Sequence, residues 1–304
     1  MNLFIFTPAM KKHNETKNKW GGGWAEKKID AFAKYVSDYL SIIRINPILK
    51  PIYFDGFAGS GERKSNIPAE LYEQLMITET EEKVYKGTAE RVLNLPKNAF
   101  FDFYYFADKD SESLSKLEER LTAYQGQLEN ELQFCEGDCN EHILELSKTL
   151  KRESSYFALL ILDPFDMQIK WESIAALKNT RTDIWILVPT VVIVNILLDK
   201  NGELRNFHKL QPFFGMTEKE IKSYFSAEEE DAIHLDEKDT VKKINRQIEK
   251  IAGLYVSQLK TIWANVIEEP ICLKNPDGTN VLHFIYASNN TNTLKIAKEI
   301  IRSV

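Results

Sequence analysis

The sequence predicts an α/β fold in which a doubly wound, mostly parallel sheet of seven strands ends in an antiparallel C-terminal hairpin. Short apolar runs alternate with helix-type spacing, and five of them predict parallel strands: 51–55, 101–107, 132–135, 156–162 and 183–188. Polar residues do not alternate with apolar ones within these runs, which is typical of parallel strands covered by helices on both faces. Two further runs, 264–274 and 280–287, flank an Asn-Pro-Asp-Gly-Thr turn and predict the hairpin.

The first element in chain order is an amphipathic helix over 24–44, whose apolar residues recur at spacings of three and four before Pro47 and Pro51 end it. The preceding residues are rich in Lys and Asn and finish in three glycines, so we expect a flexible N-terminal arm over 1–23. The remainder, 24–304, is predicted to form one domain, closed by a terminal helix over 293–302.

Two insertions are expected within this domain. Residues 62–86 form a long loop insertion, and residues 199–264 form a charged helical insertion with a periodic apolar stretch near its end. The charged stretch has two interpretations, a solvated helical face or a lid that recognises a target.

Composition excludes several functional classes. The 304 residues are 43% hydrophobic with a formal net charge of −6, which removes the global positive charge of a dedicated nucleic-acid binder. Apolar runs fall short of the roughly 20 residues that a membrane span needs, and the first residues lack the pattern of a secretory signal. Three cysteines are too few for a disulfide framework, so we expect a cytoplasmic protein.

A glycine-rich turn after the first strand is the strongest chemical signal. It reads Asp55-Gly56-Phe57-Ala58-Gly59-Ser60-Gly61. Glycines let a ligand approach the backbone, and an acid at the strand end can neutralise a cationic group, so a nucleotide-type cofactor would fit here. The spacing differs from the dinucleotide motif, and a plain turn remains the alternative.

Acidic residues also follow the next two predicted strands. Asp108 is placed to accept both hydroxyls of a ribose, whereas Asp110 is expected to cap the following helix. Asp138, followed by Cys139, could accept from an adenine amino group or could be a helix N-cap.

The fourth predicted strand ends in Asp163-Pro164-Phe165. This turn offers a carboxylate, a backbone carbonyl and a ring face together, which suits a planar heterocycle with an amino group. Because the carboxyl ends of parallel strands form the ligand-binding edge of open α/β sheets, four acid-bearing turns there favour a common site. The five histidines have no metal-ligand spacing and two nearby cysteines do not make a zinc site, so no metal is predicted.

Taken in order, these turns resemble those of the Rossmann-like, class I S-adenosylmethionine-dependent methyltransferases. More narrowly, the chain resembles the three-Cys-motif partner protein family, TcmP, through Asp55–Gly61, Gly87-Thr88-Ala89, Gly137–Asn140, Asp163–Phe165 and the closing segment 283–288. One departure is Asp166, where the family has glycine; another is the length of 62–86.

The resemblance implies an S-adenosylmethionine-dependent methyltransferase. The residues it assigns to the cofactor are Asp55, Gly56, Phe57, Gly59, Gly61, Asp108, Asp138 and Cys139. Asp163, Pro164 and Phe165 would face the methyl acceptor, which we expect to be an exocyclic amine of a nucleic-acid base. A three-Cys-motif protein partner is also implied. The alternatives are methylation of a protein or small molecule, and a cofactor-binding subunit without catalysis.

Overall fold

The computed structural model describes residues 22–60, 88–96, 99–125, 132–164, 166–197, 204–226, 240–274 and 279–303. Within them lie helices α1 Gly22–Ile43, α2 Thr88–Leu93, α3 Ser111–Gln125, α4 Cys139–Arg152, α5 Trp171–Ala176, α6 Thr190–Leu197, α7 Phe207–Phe214, α8 Glu218–Ser226, α9 Thr240–Leu259 and α10 Thr291–Ser303. The strands are β1 Lys50–Asp55, β2 Phe103–Asp108, β3 Leu132–Glu136, β4 Tyr156–Leu162, β5 Thr182–Val188, β6 Asn265–Val266, β7 Ile271–Lys274 and β8 Asn280–Ser288.

All eight strands form a single sheet in the order β3-β2-β1-β4-β5-β8-β6, with β7 also paired to β8. Strands β1 to β5 are mutually parallel, and β8 runs antiparallel to β5. The predicted Rossmann-like, methyltransferase-like α/β fold is therefore confirmed, including its antiparallel C-terminal hairpin.

The edge of the sheet differs in one detail from the sequence prediction. The single strand expected over 264–274 is two strands, β6 and β7, which pair with successive parts of β8 and so share one position. Pro270 lies between them, and a proline has no backbone N–H to donate to a strand ladder. Eight strands thus occupy the seven positions that were predicted.

The core consists of one apolar layer on each face of the sheet. Along β1, Ile52 and Phe54 face the layer formed with α4 to α9, whereas Tyr53 faces the layer formed with α1, α2, α3 and α10. The aromatic run before and within β2 is core material, since Phe101 and Phe106 are fully buried. In the described part of the chain, no helix is long and apolar enough to cross a membrane.

Two expected segments lie outside the described residues, namely 62–86 and the arm up to residue 21. Helix α1 begins at Gly22, two residues before the start predicted from apolar spacing. The described parts of 199–264 contain α7, α8 and α9.

Candidate functional site

The candidate site lies where the strand order reverses. From β1 the chain continues outward to β2 and β3, and it then returns to place β4 on the other side of β1. Ligands of open α/β sheets bind outside the carboxyl ends of the strands at such a switch point. Asp55 ends β1 and Asp163 directly follows β4, so the two carboxylates flank the crevice.

The turn after β1 is held tightly against its neighbours. The N–H of Gly56 donates to Ile161 O (3.0 Å), and the N–H of Ala58 donates to Ala107 O (3.0 Å). At Gly56, a Cβ atom would lie 2.5 Å from Cys139 Sγ, so only glycine fits without displacing the core. The turn therefore stays close to the ends of β2 and β4.

Gly59 leaves open space above this turn. Its φ of +58° lies in the left-handed region that glycine adopts readily, and apart from its chain neighbours no described residue has an atom within 4 Å of a Cβ built there. A ligand could approach the backbone at this point. Gly61, the last glycine assigned to the cofactor, lies outside the described residues.

Asp108 joins the turn to the end of β2. Its Oδ2 accepts a hydrogen bond from the N–H of Gly59 (2.8 Å), and its Oδ1 accepts one from the N–H of Asp110 (2.9 Å). Each carboxylate oxygen can accept more than one hydrogen bond, so both keep capacity for ligand hydroxyls. The structure thus fixes the orientation of the carboxylate predicted to bind a ribose.

Asp110 is a helix cap, as expected from the sequence. Its carboxylate accepts from Ser113 Oγ (2.7 Å) and from the N–H of Glu112 (3.3 Å). The hydrogen bond from Ser113 is the main cause that lowers the pKa of Asp110. This acid therefore serves the first turn of α3.

Asp138 adopts the alternative that the sequence left open, since it is the N-cap of α4. Its Oδ1 accepts from the N–H of Asn140 (2.9 Å), and its Oδ2 pairs with Lys109 Nζ (3.1 Å). Partial burial opposes ionisation, but the hydrogen bonds from Asn140 and Lys109 outweigh it and lower the pKa of Asp138. The adenine contact assigned to Asp138 remains a prediction.

Cys139 and Phe57, both assigned to the cofactor, differ in how far they are buried. The thiol of Cys139 is 3% exposed and packs under Gly56, and burial raises its pKa. It supports the floor of the turn rather than presenting a thiolate. Phe57 is half-buried, and its N–H donates to Asp55 Oδ1 (3.3 Å).

The electrostatics of the crevice centre on Asp55. Burial, with a smaller contribution from the nearby carboxylates of Asp163 and Asp108, raises the pKa of this carboxyl to about 7, while the hydrogen bond from the N–H of Phe57 acts in the opposite direction. A buried acid among like charges gains stability from a bound cationic group. The crevice is thus suited to a ligand that carries positive charge.

The loop after β4 carries the residues predicted to face the acceptor. Asp163 is half-buried, Pro164 is buried, and Phe165 lies outside the described residues. Further along, the carbonyl of Asp166 accepts from the N–H of Gln168 (2.7 Å).

Asn140 braces this loop, a role that the sequence did not reveal. Its Nδ2 donates to Gln168 O (2.9 Å), and its Oδ1 accepts from the N–H of Lys170 (2.7 Å) and from Ser173 Oγ (2.9 Å). These partners lie about thirty residues away, so the sequence shows only a polar residue in the first turn of a helix. Asn140 ties the start of α4 to the chain entering α5.

Comparison with known proteins identifies no family. No family model matches the chain, and no curated protein matches it. Among solved structures, protein LPL1258 from Legionella pneumophila (family-model DUF519) is 10% identical, with 93% of each chain covered and a TM-score of 0.42. Trm1 from Pyrococcus horikoshii, solved with S-adenosyl-L-methionine, is 8% identical with a TM-score of 0.39; the match covers 89% of this chain and 57% of Trm1. Such values assign no activity to this chain.

Proposed function

We propose that this protein is a cytoplasmic S-adenosylmethionine-dependent methyltransferase of the three-Cys-motif partner type, acting on an exocyclic amine of a nucleic-acid base. One observation carries the proposal. At the switch point of the sheet, Asp108 is fixed by the glycine turn that begins at Asp55, and the described residues leave open space at Gly59. The turn at Gly59 thus lies between Asp108, a carboxylate suited to a ribose, and Asp55, an acid suited to a cationic group.

The residues fit this cofactor chemically. Asp55, whose pKa burial raises to about 7, would be paired with the positively charged methionine end. Asp108, held by two backbone N–H groups, would accept the ribose hydroxyls. The open space at Gly59 would accommodate the approach of the ligand to the backbone. When bound, S-adenosylmethionine supplies an electrophilic methyl group on a sulfonium.

The protein's part in the transfer is alignment and hydrogen bonding. Asp163 would accept N–H hydrogen bonds from the acceptor amine, which orients the nitrogen and holds the proton that leaves it. Pro164 restricts the backbone directly after Asp163, because the proline ring fixes φ. Bracing of the same loop by Asn140 limits its movement.

The net negative charge of the chain favours a mechanism in which a partner protein assists the binding of a nucleic acid. The chain has a net charge of −6, which argues against tight unaided binding to the negatively charged backbone of a nucleic acid. We therefore include in the proposal a three-Cys-motif partner that contributes to recognition. Co-purification followed by mass spectrometry of the bound protein and nucleic acid would identify it.

Transfer of a radiolabelled methyl group tests the proposed activity. DNA, RNA and protein from the host would be offered separately to the wild type and to Asp163→Asn. We expect label in nucleic acid, and a loss of about 100-fold or more in Asp163→Asn, since a positioned proton acceptor contributes roughly that much.

Asp166→Asn is the matched control, because this acid lies in the same loop and its carboxylate accepts a hydrogen bond from the backbone N–H of Met167. Label in protein alone would contradict the proposed acceptor. Cofactor binding without transfer to any substrate would instead favour the non-catalytic alternative.

A further inference from the structure

A second group of chemically active side chains lies at the same edge of the sheet, beyond β5. His283 in β8 is paired with Val188 in β5 and with Cys272 in β7. Residues directly opposite one another in neighbouring strands project from the same face of a sheet. His283 and Cys272 therefore point together towards the layer that contains α6 and α9.

His283 is held from both sides of its ring. The side chain is 1% exposed, and its Nδ1 lies 3.0 Å from Thr190 Oγ1 at the start of α6. Its Nε2 lies 3.4 Å from Glu249 Oε1 on α9. Hydrogen bonding of Nδ1 to Thr190 fixes the ring orientation, so Nε2 faces Glu249.

Helix α9 also binds the start of β8 through two acceptors one helical turn apart. Asn245 Oδ1 accepts from the N–H of Asn280 (2.7 Å), and Glu249 Oε1 accepts from Asn280 Nδ2. The Asn280 side chain is buried, and among the described residues its Oδ1 has no hydrogen-bond partner.

The ligand atoms of this group lie close enough together to hold one metal ion. Among the described residues, Glu249, Cys272 and His283 each offer one ligand atom, and the three atoms lie within 4.8 Å of one another. The 3.4 Å between His283 Nε2 and Glu249 Oε1 is long for a charge-assisted hydrogen bond, which is about 2.7–2.9 Å. It is close to the separation of about 3.3 Å between two ligands on tetrahedral zinc with bonds of about 2.0 Å.

We propose that Glu249, Cys272 and His283 bind one Zn²⁺ ion. A thiolate, an imidazole and a carboxylate form the mixed donor set that zinc accepts. The contact of His283 with Thr190 is the outer interaction that zinc-binding histidines make through their other nitrogen. On binding, the Cys272 thiol releases its proton to solvent.

Such an ion would join helix α9 to the C-terminal hairpin. Glu249 belongs to the helical insertion, whereas Cys272 and His283 lie in the hairpin strands. The Glu249 side chain is 55% exposed, which gives the ion a route from solvent. This site is independent of the proposed methyl transfer, because none of its residues belongs to the crevice at β1 and β4.

Titration of the chelator-treated full-length protein with Co²⁺ and with Zn²⁺ tests the proposal. We expect one Zn²⁺ per chain, and with Co²⁺ a thiolate-to-metal charge-transfer band. The band should disappear in Cys272→Ser and persist in Cys135→Ser, a matched control because Cys135 is also a half-buried strand cysteine. Zn²⁺ affinity should fall at least about tenfold in Glu249→Gln.

Binding of no Zn²⁺ by the folded wild type, or a band that survives in Cys272→Ser, would overturn the proposal. Circular dichroism shows whether each variant is folded. If a variant does not fold, the number of Zn²⁺ ions bound per wild-type chain still tests the proposal. Since the readout is metal binding, failure here leaves the cofactor measurements unaffected, and failure of methyl transfer leaves this site unaffected.

Discussion

The buried carboxyl of Asp55 should make cofactor affinity depend on pH. Its pKa is about 7 without ligand, so roughly half the molecules are ionised at pH 7 and only about 3% at pH 5.5. The cationic end of S-adenosylmethionine keeps its charge over this range and favours ionised Asp55. If the bound-state pKa falls below 5.5, affinity should be about 15-fold higher at pH 7 than at pH 5.5.

Asp55→Asn removes the titrating group while keeping its size. We expect the affinity of this variant at pH 7 to be about 10- to 100-fold lower than that of the wild type, as expected for loss of a hydrogen bond to a charged group. Its affinity should also be nearly constant between pH 5.5 and pH 7. Isothermal titration calorimetry at both pH values measures the two effects.

The contribution of Asp55 to the stability of the ligand-free protein should fall as pH rises, whereas cofactor affinity should increase. A carboxyl with a raised pKa binds its proton more tightly in the folded state, so its contribution is present below the unfolded pKa of 3.8 and is lost as pH rises towards 7. The pKa difference corresponds to at most about 4 kcal/mol. Urea unfolding should therefore show that Asp55→Asn gains stability relative to the wild type as pH rises from 4 to 8.

Equal wild-type affinities at the two pH values, or wild-type affinity in Asp55→Asn, would refute this reasoning. Asp102→Asn is the control, because Asp102 precedes β2 at the opposite end of the sheet and pairs with Arg44 (3.0 Å). Its cofactor affinity should follow that of the wild type at both pH values.

Three further substitutions test the supports of the site. Gly59→Ala should cost about 1–2 kcal/mol in urea unfolding, because its φ is positive, and calorimetry should show weaker cofactor binding since the methyl enters the open space. Asn140→Ala removes the three hydrogen bonds that join the start of α4 to the chain entering α5, and it should destabilise the protein by about 2–4 kcal/mol by the same assay. Gly215→Ala should lower the thermal midpoint strongly, since the new Cβ would lie 1.9 Å from Trp171; a midpoint unchanged from wild type would contradict that packing.

Local patterns in the sequence predicted the sheet and its acids. The parallel strands are continuous apolar runs because both faces are covered, and each acid directly follows a run, which places Asp55, Asp108 and Asp163 at one edge. Capping by Asp110 was predictable because the partners, Glu112 and Ser113, follow within three residues.

Contacts between distant segments could not be predicted in this way. The break between β6 and β7 depends on how each pairs with β8, although Pro270 is a local signal that could have indicated it. The prediction of no metal considered histidine spacing and neighbouring cysteines, whereas the proposed site joins Glu249, Cys272 and His283, which come together only when α9 packs on the hairpin.

Calorimetric titration of S-adenosylmethionine into wild type, Asp108→Ala and Asp102→Ala tests the central claim most directly. Asp108 and Asp102 are at opposite ends of β2, about 20 Å apart along the strand. The account predicts one cofactor per wild-type chain, at least about tenfold weaker binding in Asp108→Ala, and wild-type affinity in Asp102→Ala. Absence of binding to the wild type, or equal affinities in the wild type and Asp108→Ala, would contradict a cofactor site at this edge of the sheet.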